Sequence, residues 1–244
     1  MINFRPLAAI RLLLMGVLFA LPASAGAQPR PAVVDQLGKT YGLGSWDKVE
    51  AVRYTFNAQL GTINLARSWT WEPKTDQVTY EGPDASGKPM KVTYLRSQIG
   101  SQPDDVKNRI DPAFINDQYW LILPFHVVWD TSATITDEGQ QKPPLGQASA
   151  KKIVMKYPSS GGYSTGDTWD LYLGTDGRIV EMVYHRGGPK KPTTVIAPWT
   201  GYKKAGPLLV STDHKGTADD KPVHISFSNV AVKLTGSDTW LPAK

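Results

Sequence analysis

The 244-residue sequence predicts a mostly β fold of the α+β kind, an antiparallel meander with a few helices packed against it. Three observations carry this. Short segments in which every second residue is apolar recur along the chain, a period that belongs to strands with one wet face and one buried face. Gly, Pro and Asp clusters separate those segments, as in hairpins and meanders. One strongly apolar stretch lacks the alternation, lies between Pro112 and Pro124, and reads as a helix that the sheet has to cover.

The chain opens with Arg5 and Arg11, an apolar run over residues 12–21, Pro22, and then Ala23-Ser24-Ala25. A basic start, a short apolar run and small residues before the cut are the parts of a secretory signal peptide, expected over residues 1–25 with Ala27 as a second cleavage point. The run is too short to cross a bilayer, which takes about 20 residues. Residues 26–244 are read as a single domain, since β folds of this size are commonly undivided. Export places it in the periplasm.

Residues 31–41 form a short helical pattern, with Pro31 in the first turn, Val33, Val34 and Leu37 on one face, and a stop near Gly42 and Gly44. Over residues 52–59, Val52, Tyr54, Phe56 and Ala58 alternate with Arg53, Thr55, Asn57 and Gln59. Leu65, Trp69 and Trp71 follow on one face, with Arg67 as the odd charge among them, and then Val78 and Tyr80. A turn at residues 83–87 leads to Met90, Val92 and Tyr94. Asp104 and Asp105 place acids at the positive end of a helical stretch over residues 104–123. Pro124 is expected to end it, with strands resuming near Val127 and Thr134. Residues 152–157 read as a strand. The clearest hairpin runs from Trp169 through Gly174-Thr175-Asp176-Gly177 to Tyr184, because two glycines supply the positive φ angles of a tight loop. Residues 208–210 and 223–232 complete the strands.

Composition narrows the function. There is no cysteine, which excludes disulfides, thiolate metal sites, a cysteine nucleophile and a lipid anchor on an N-terminal cysteine. The net charge is +5, and two of those charges, Arg5 and Arg11, sit in the leader. That balance, with export, argues against nucleic acid as a partner. The pairs Lys151-Lys152, Lys190-Lys191 and Lys203-Lys204 read as solvated loop charge, or as a weak attraction to an anionic membrane surface.

Chemical motifs are few. Gly162-Tyr163-Ser164-Thr165-Gly166 matches the G-x-S-x-G nucleophile elbow, with Asp170, Asp176, His185, His214 and His224 as partners further on. An elbow turns from strand into helix, whereas here an alternating strand follows. His126, His185, His214 and His224 show no metal-ligand spacing, so neither a metal nor another cofactor is expected. Eight Trp and ten Tyr are more wide, flat side chains than a half-covered sheet needs for its core. On the concave face of a curved sheet they suit acyl chains: each buried CH₂ contributes about 0.8 kcal/mol, so about 16 carbons contribute roughly 12 kcal/mol before the costs of binding.

The strand over residues 49–60 after a short helix, Trp69-Thr70-Trp71 in the next strand, the apolar helical insertion, and the hairpin Leu171-Tyr172-Leu173-Gly174-Thr175-Asp176-Gly177-Arg178 together resemble the periplasmic lipoprotein-carrier superfamily, the outer-membrane lipoprotein-sorting (LolA/LolB-like) proteins. The segments 114–121 and 161–167 look like an exported subgroup of it. The resemblance implies an unclosed antiparallel β half-barrel with helices on its concave side and an apolar cavity between them. It transfers no individual binding residue. An acceptor role of the lipoprotein kind does not fit a chain without cysteine.

The expected function is therefore binding or shuttling of a lipid or other apolar ligand, including lipoprotein acyl chains, by a monomer without catalytic residues that makes at most transient contact with a membrane surface or an envelope protein. Tyr54, Phe56, Trp69, Trp71, Tyr80, Tyr94, Trp120, Trp169 and Leu171 are the expected lipid-binding residues, from the apolar face of each strand and from the helix. The alternatives are a structural or interaction module whose aromatics are all core, and an envelope serine hydrolase using Ser164.

Overall fold

The computed structural model describes residues 30–188 and 191–244; the expected signal peptide lies outside them. Helix α1 (Ala32–Tyr41) buries Val33, Val34, Leu37 and Tyr41. It stops at Gly42, whose φ is +83° and whose absent Cβ would stand 2.2 Å from the carbonyl oxygen of Pro207, so only glycine fits. A short 3₁₀ segment (Leu43–Lys48) carries Trp46 inward.

Strands β1 (Val49–Leu60), β2 (Ile63–Glu72), β3 (Gln77–Pro83) and β4 (Pro89–Leu95) form the expected meander. Tyr54 stands opposite Trp69, Trp69 opposite Tyr80, and Val78 opposite Tyr94. The apolar set of each strand is thus the inner one, while Thr55 with Ser68 and Thr79 with Thr93 pair by hydrogen bonds on the outer face.

A π-helical turn (Val106–Ile110) leads into α2 (Asp111–Trp129). Here the structure corrects the sequence. Pro124 does not end the helix, and Val127, expected in a strand, lies in its last turns. The helix instead kinks at Ile122, whose φ is −120°. Proline has no N–H for the carbonyl four residues before it, here that of Trp120. The Nε2 of His214, 94 residues on, takes that carbonyl at 3.0 Å. At the far end, Arg30 donates to the carbonyls of Val127 and Val128, both at 2.7 Å, and to that of Asp130 at 2.5 Å. It satisfies acceptors that a helix C-terminus leaves open.

The second half of the chain supplies β5 (Thr134–Gln141), β6 (Ala150–Lys156), β7 (Thr168–Leu173), β8 (Ile179–His185), β9 (Thr194–Pro198), β10 (Lys203–Ala205), β11 (Leu208–Val210), β12 (Asp213–Ala218), β13 (Lys221–Leu234) and β14 (Trp240–Pro242). All but β10 and β11 join one antiparallel sheet in the order β4-β3-β2-β1-β13-β12-β9-β8-β7-β6-β5, with β14 beside β13. The sheet does not close: β4 and β5 are its edges. The closing pair β1–β13 joins the first meander to the last long strand and contains two register shifts.

Helix α2 lies on the concave side. Phe114 packs on Trp69 and Trp71 in β2, and Trp120 packs on Trp169 in β7 and Tyr184 in β8. A helix is about 10–12 Å across and strands are about 4.8 Å apart. One helix therefore reaches β2, β7, β8 and β12 only because the sheet curls around it. Among the described residues no helix is long and apolar enough to cross a membrane.

Candidate functional site

Helix α2 is almost wholly apolar, so each polar group on it needs a local account. Three carboxylates tie it to three places on the sheet. Asp111, in its first turn, accepts from Tyr94 at 2.9 Å and from Arg96 at 2.9 Å, both at the β4 end. It also accepts from Tyr163 at 2.5 Å, in the loop before β7. Asp117, in the middle and fully buried, accepts from Arg67 Nε at 2.7 Å and Trp69 Nε1 at 2.8 Å, both in β2. Arg67, the charge on the apolar face of its strand, is there for this carboxylate, with its guanidinium also over the Phe56 ring. Burial lifts the Asp117 carboxyl above its ordinary range, opposed by the charge and hydrogen bond of Arg67.

Asp130, just past the helix, accepts from Tyr119 at 2.5 Å and from Tyr157, which follows β6. The Nδ1 of His126 faces it at 3.2 Å. The His126 ring stacks on Tyr119 with centroids 3.8 Å apart. Burial would raise the Asp130 carboxyl, but the hydrogen bonds from His126, Tyr119 and Tyr157 outweigh it and hold it below the usual value. The same burial and the neighbouring carboxylate push the Tyr119 hydroxyl up.

Two clefts open along α2 beside its contacts with the sheet. The first, about 600 Å³, runs between Ile115, Asn116, Tyr119 and Trp120 on the helix and Trp169, Tyr184 and Arg186 on the strands. The second, about 550 Å³, is bounded by Trp71, Gln118, His126, Trp129 and Tyr157. Both include Ile115, Tyr119, Gly162, Tyr163 and Ser164. The glycine-rich loop thus stands astride one trough, held by Tyr163 on Asp111 and by the Gly166 N–H on the Pro158 carbonyl at 2.8 Å.

The nine nominated residues separate accordingly. All lie on the inner side, but Tyr54, Phe56, Tyr80, Tyr94 and Leu171 are in the packed core and line neither cleft, and Trp69 is bonded to Asp117. Trp71, Trp120 and Trp169 line the trough. Sequence reasoning missed Ile115, Gln118, Tyr119, His126, Trp129 and Tyr157. The available signal was the presence of Gln118 and His126 inside the most apolar stretch of the chain.

The G-x-S-x-G segment has a conformational explanation. Gly162 and Gly166 have φ of +70° and +73°, and a Cβ on Gly166 would come within 2.7 Å of the Gly188 backbone nitrogen. Strand β7 follows it. His214 is buried against Trp120 and Trp199, and burial lowers its pKa to about 4. His224 pairs with Asp213 at 2.6 Å and His185 lies 3.6 Å from Asp170. The histidine that shares a cleft with Ser164 is His126, whose ring is stacked on Tyr119.

No protein-family model matches the chain, and no curated protein matches it. Among solved structures it is similar to a crystal structure of a DUF1329 family protein from Desulfovibrio piger, at a TM-score of 0.44 and 10% identity over 86% of this chain and 96% of that one.

Proposed function

We propose that the protein binds or shuttles a lipid or other apolar ligand in the bacterial cell envelope, in the manner of the lipoprotein carriers its sequence resembles. The site is the trough along α2 rather than the packed core behind it. One observation carries this reading: two adjoining clefts of about 600 and 550 Å³, lined by Trp71, Ile115, Trp120, Trp129 and Trp169 and bridged by a glycine-rich loop. Each volume falls within the roughly 300–1,000 Å³ of small-molecule sites, which are mostly apolar with a few placed polar groups. The interior behind α2 is filled by aromatic packing and leaves an acyl chain little room.

The test is mass spectrometry of the organic extract of protein purified from its native envelope without detergent. A stoichiometric lipid or acyl group is expected. An empty extract from folded protein, with no saturable binding of a fluorescent acyl probe, would sink the proposal.

A second reading has its own observation. Eight of the nine residues nominated from the sequence are buried, as in a module whose aromatics serve only as core. It expects Ile115→Glu to leave ligand content and partner contacts unchanged. The carrier reading expects that substitution, in the floor of both clefts, to abolish acyl-probe binding while the fold persists.

A further inference from the structure

We infer that the trough takes a neutral amphiphile, an apolar chain whose head carries both a hydrogen-bond donor and an acceptor, as a hydroxyl or an amide does, in preference to a fatty-acid anion or a bare hydrocarbon. This rests on the apolar-ligand reading above and names its ligand class.

The observation is a set of unmatched polar atoms on one wall. Gln118 is 3% exposed and His126 8% exposed, yet Gln118 Oε1 and His126 Nε2 meet no partner, and neither does Trp71 Nε1. All three residues line the same cleft. Buried polar atoms in folded proteins are paired with few exceptions, and an orphan is costly. Of the seven such atoms among the described residues, three belong to side chains that line this one cleft, and a ligand head there would complement them.

Their hydrogen-bonding sense defines that complement. Trp71 Nε1–H can only donate, and Gln118 Oε1 can only accept. Where His126 Nδ1 donates to the Asp130 carboxylate that faces it, Nε2 is the acceptor of that tautomer. A matching head offers an acceptor to Trp71 and donors to Gln118 and His126. A primary amide offers an acceptor and two donors, a hydroxyl an acceptor and one donor, a carboxylate acceptors only, and an alkane neither.

Charge points the same way. Asp130, ionised by the bonds described above, lines this cleft. Arg96, the cleft's one lysine or arginine among the described residues, is already divided between Asp76 and Asp111. An anionic head placed in this cleft would meet that like charge, with Arg96 already paired.

The test is displacement of a fluorescent acyl probe from the folded chain at neutral pH. The competitors share one chain length: the alcohol, the primary amide, the monoacylglycerol, the free acid and the alkane. The alcohol, amide and monoacylglycerol are expected to bind at least about tenfold more tightly than the acid and the alkane. Gln118→Met and His126→Phe should each remove most of that preference. Gln118→Met should also unfold at a higher temperature than the wild type without ligand, because it deletes an unpaired buried acceptor; a glutamine with a merely structural role would lower it. Equal affinities across the series, or the free acid binding tightest, would overturn the head-group inference and leave the apolar-ligand reading standing. Failure of every competitor and of the probe itself would overturn both.

Discussion

Asp117 and Gln118 are neighbours on one helix, both buried, and their surroundings could hardly differ more. Asp117 faces β2, where Arg67 and Trp69 meet its oxygens. Gln118 faces the flank, where its carbonyl oxygen meets nothing. A polar group placed in an apolar interior costs free energy unless it is paired. The first residue is therefore understandable as a fastening and the second is not. One side of α2 is closed chemistry, with Asp111 and Asp117 met by Tyr94, Arg96, Arg67 and Trp69 in or beside the sheet. The other side is open chemistry, with a trough, a strapping loop and orphaned atoms. Structure is built on the first side, and the proposed ligand belongs to the second.

The largest expected effect comes from breaking the closed side. Asp117→Ala strips the partner from Arg67 on an apolar strand face, and breaking a buried pair by removing one member typically costs about 3–5 kcal/mol. Urea unfolding should show it as a lower midpoint. The double variant Asp117→Leu/Arg67→Met removes both charges and should recover most of the loss, since an apolar replacement of a buried pair is often neutral. If Asp117→Ala alone is harmless, the pair is not what holds the helix to the sheet.

How far the sequence could show this follows from the range of each interaction. The faces of β1 to β4 were legible because alternation is local: Tyr54, Phe56, Trp69 and Tyr80 point inward as their spacing says. Arg67 was visible as an anomaly, but its partner lies 50 residues away and alternation carries no such information. Pro124 reads as a stop by a local rule, and the rule failed because His214 of β12 takes the carbonyl that proline leaves free. The pairing of β1 with β13, which curls the sheet, is longer in range still. Trp71, Trp120 and Trp169 were found for the trough because they are large. Gln118, Tyr119 and His126 were missed because a mixed polar set on a kinked helix has no period to read.

His214 sharpens the comparison through pH. It is a buried polar group on the packed side whose Nε2 meets the Trp120 carbonyl while its Nδ1 meets no partner, with a pKa of about 4 in the folded chain against 6.5 unfolded. Between those values the unfolded chain holds a proton that the folded chain does not. Acidification through that window therefore favours unfolding, and the contribution present above about pH 6.5 is lost as the pH falls through about 4. The loss from this one residue should be about 3 kcal/mol. His214→Gln keeps an N–H for the Trp120 carbonyl and does not titrate. Urea midpoints of the two proteins, followed from neutral to acidic pH, should converge and then cross. Parallel curves would mean that His214 is not the titrating group.

The smallest stability effect should come from the open side, and it separates a strap from a fastening. Tyr163 is exposed, and its hydroxyl holds the glycine-rich loop to Asp111. Tyr163→Phe leaves Asp111 with Tyr94 and Arg96, so the carboxylate stays paired and the cost should be within about 1 kcal/mol, the net worth of one hydrogen bond. The loop keeps its backbone tie, the Gly166 N–H on the Pro158 carbonyl. What changes is access. The loop borders both clefts, so a looser loop should speed association and dissociation of an acyl probe together and leave their ratio nearly unchanged, as stopped-flow fluorescence would read. If Tyr163→Phe instead unfolds the protein as readily as Asp117→Ala, the loop belongs to the closed side. The contrast between the two flanks of α2 would then fail where it is most exposed.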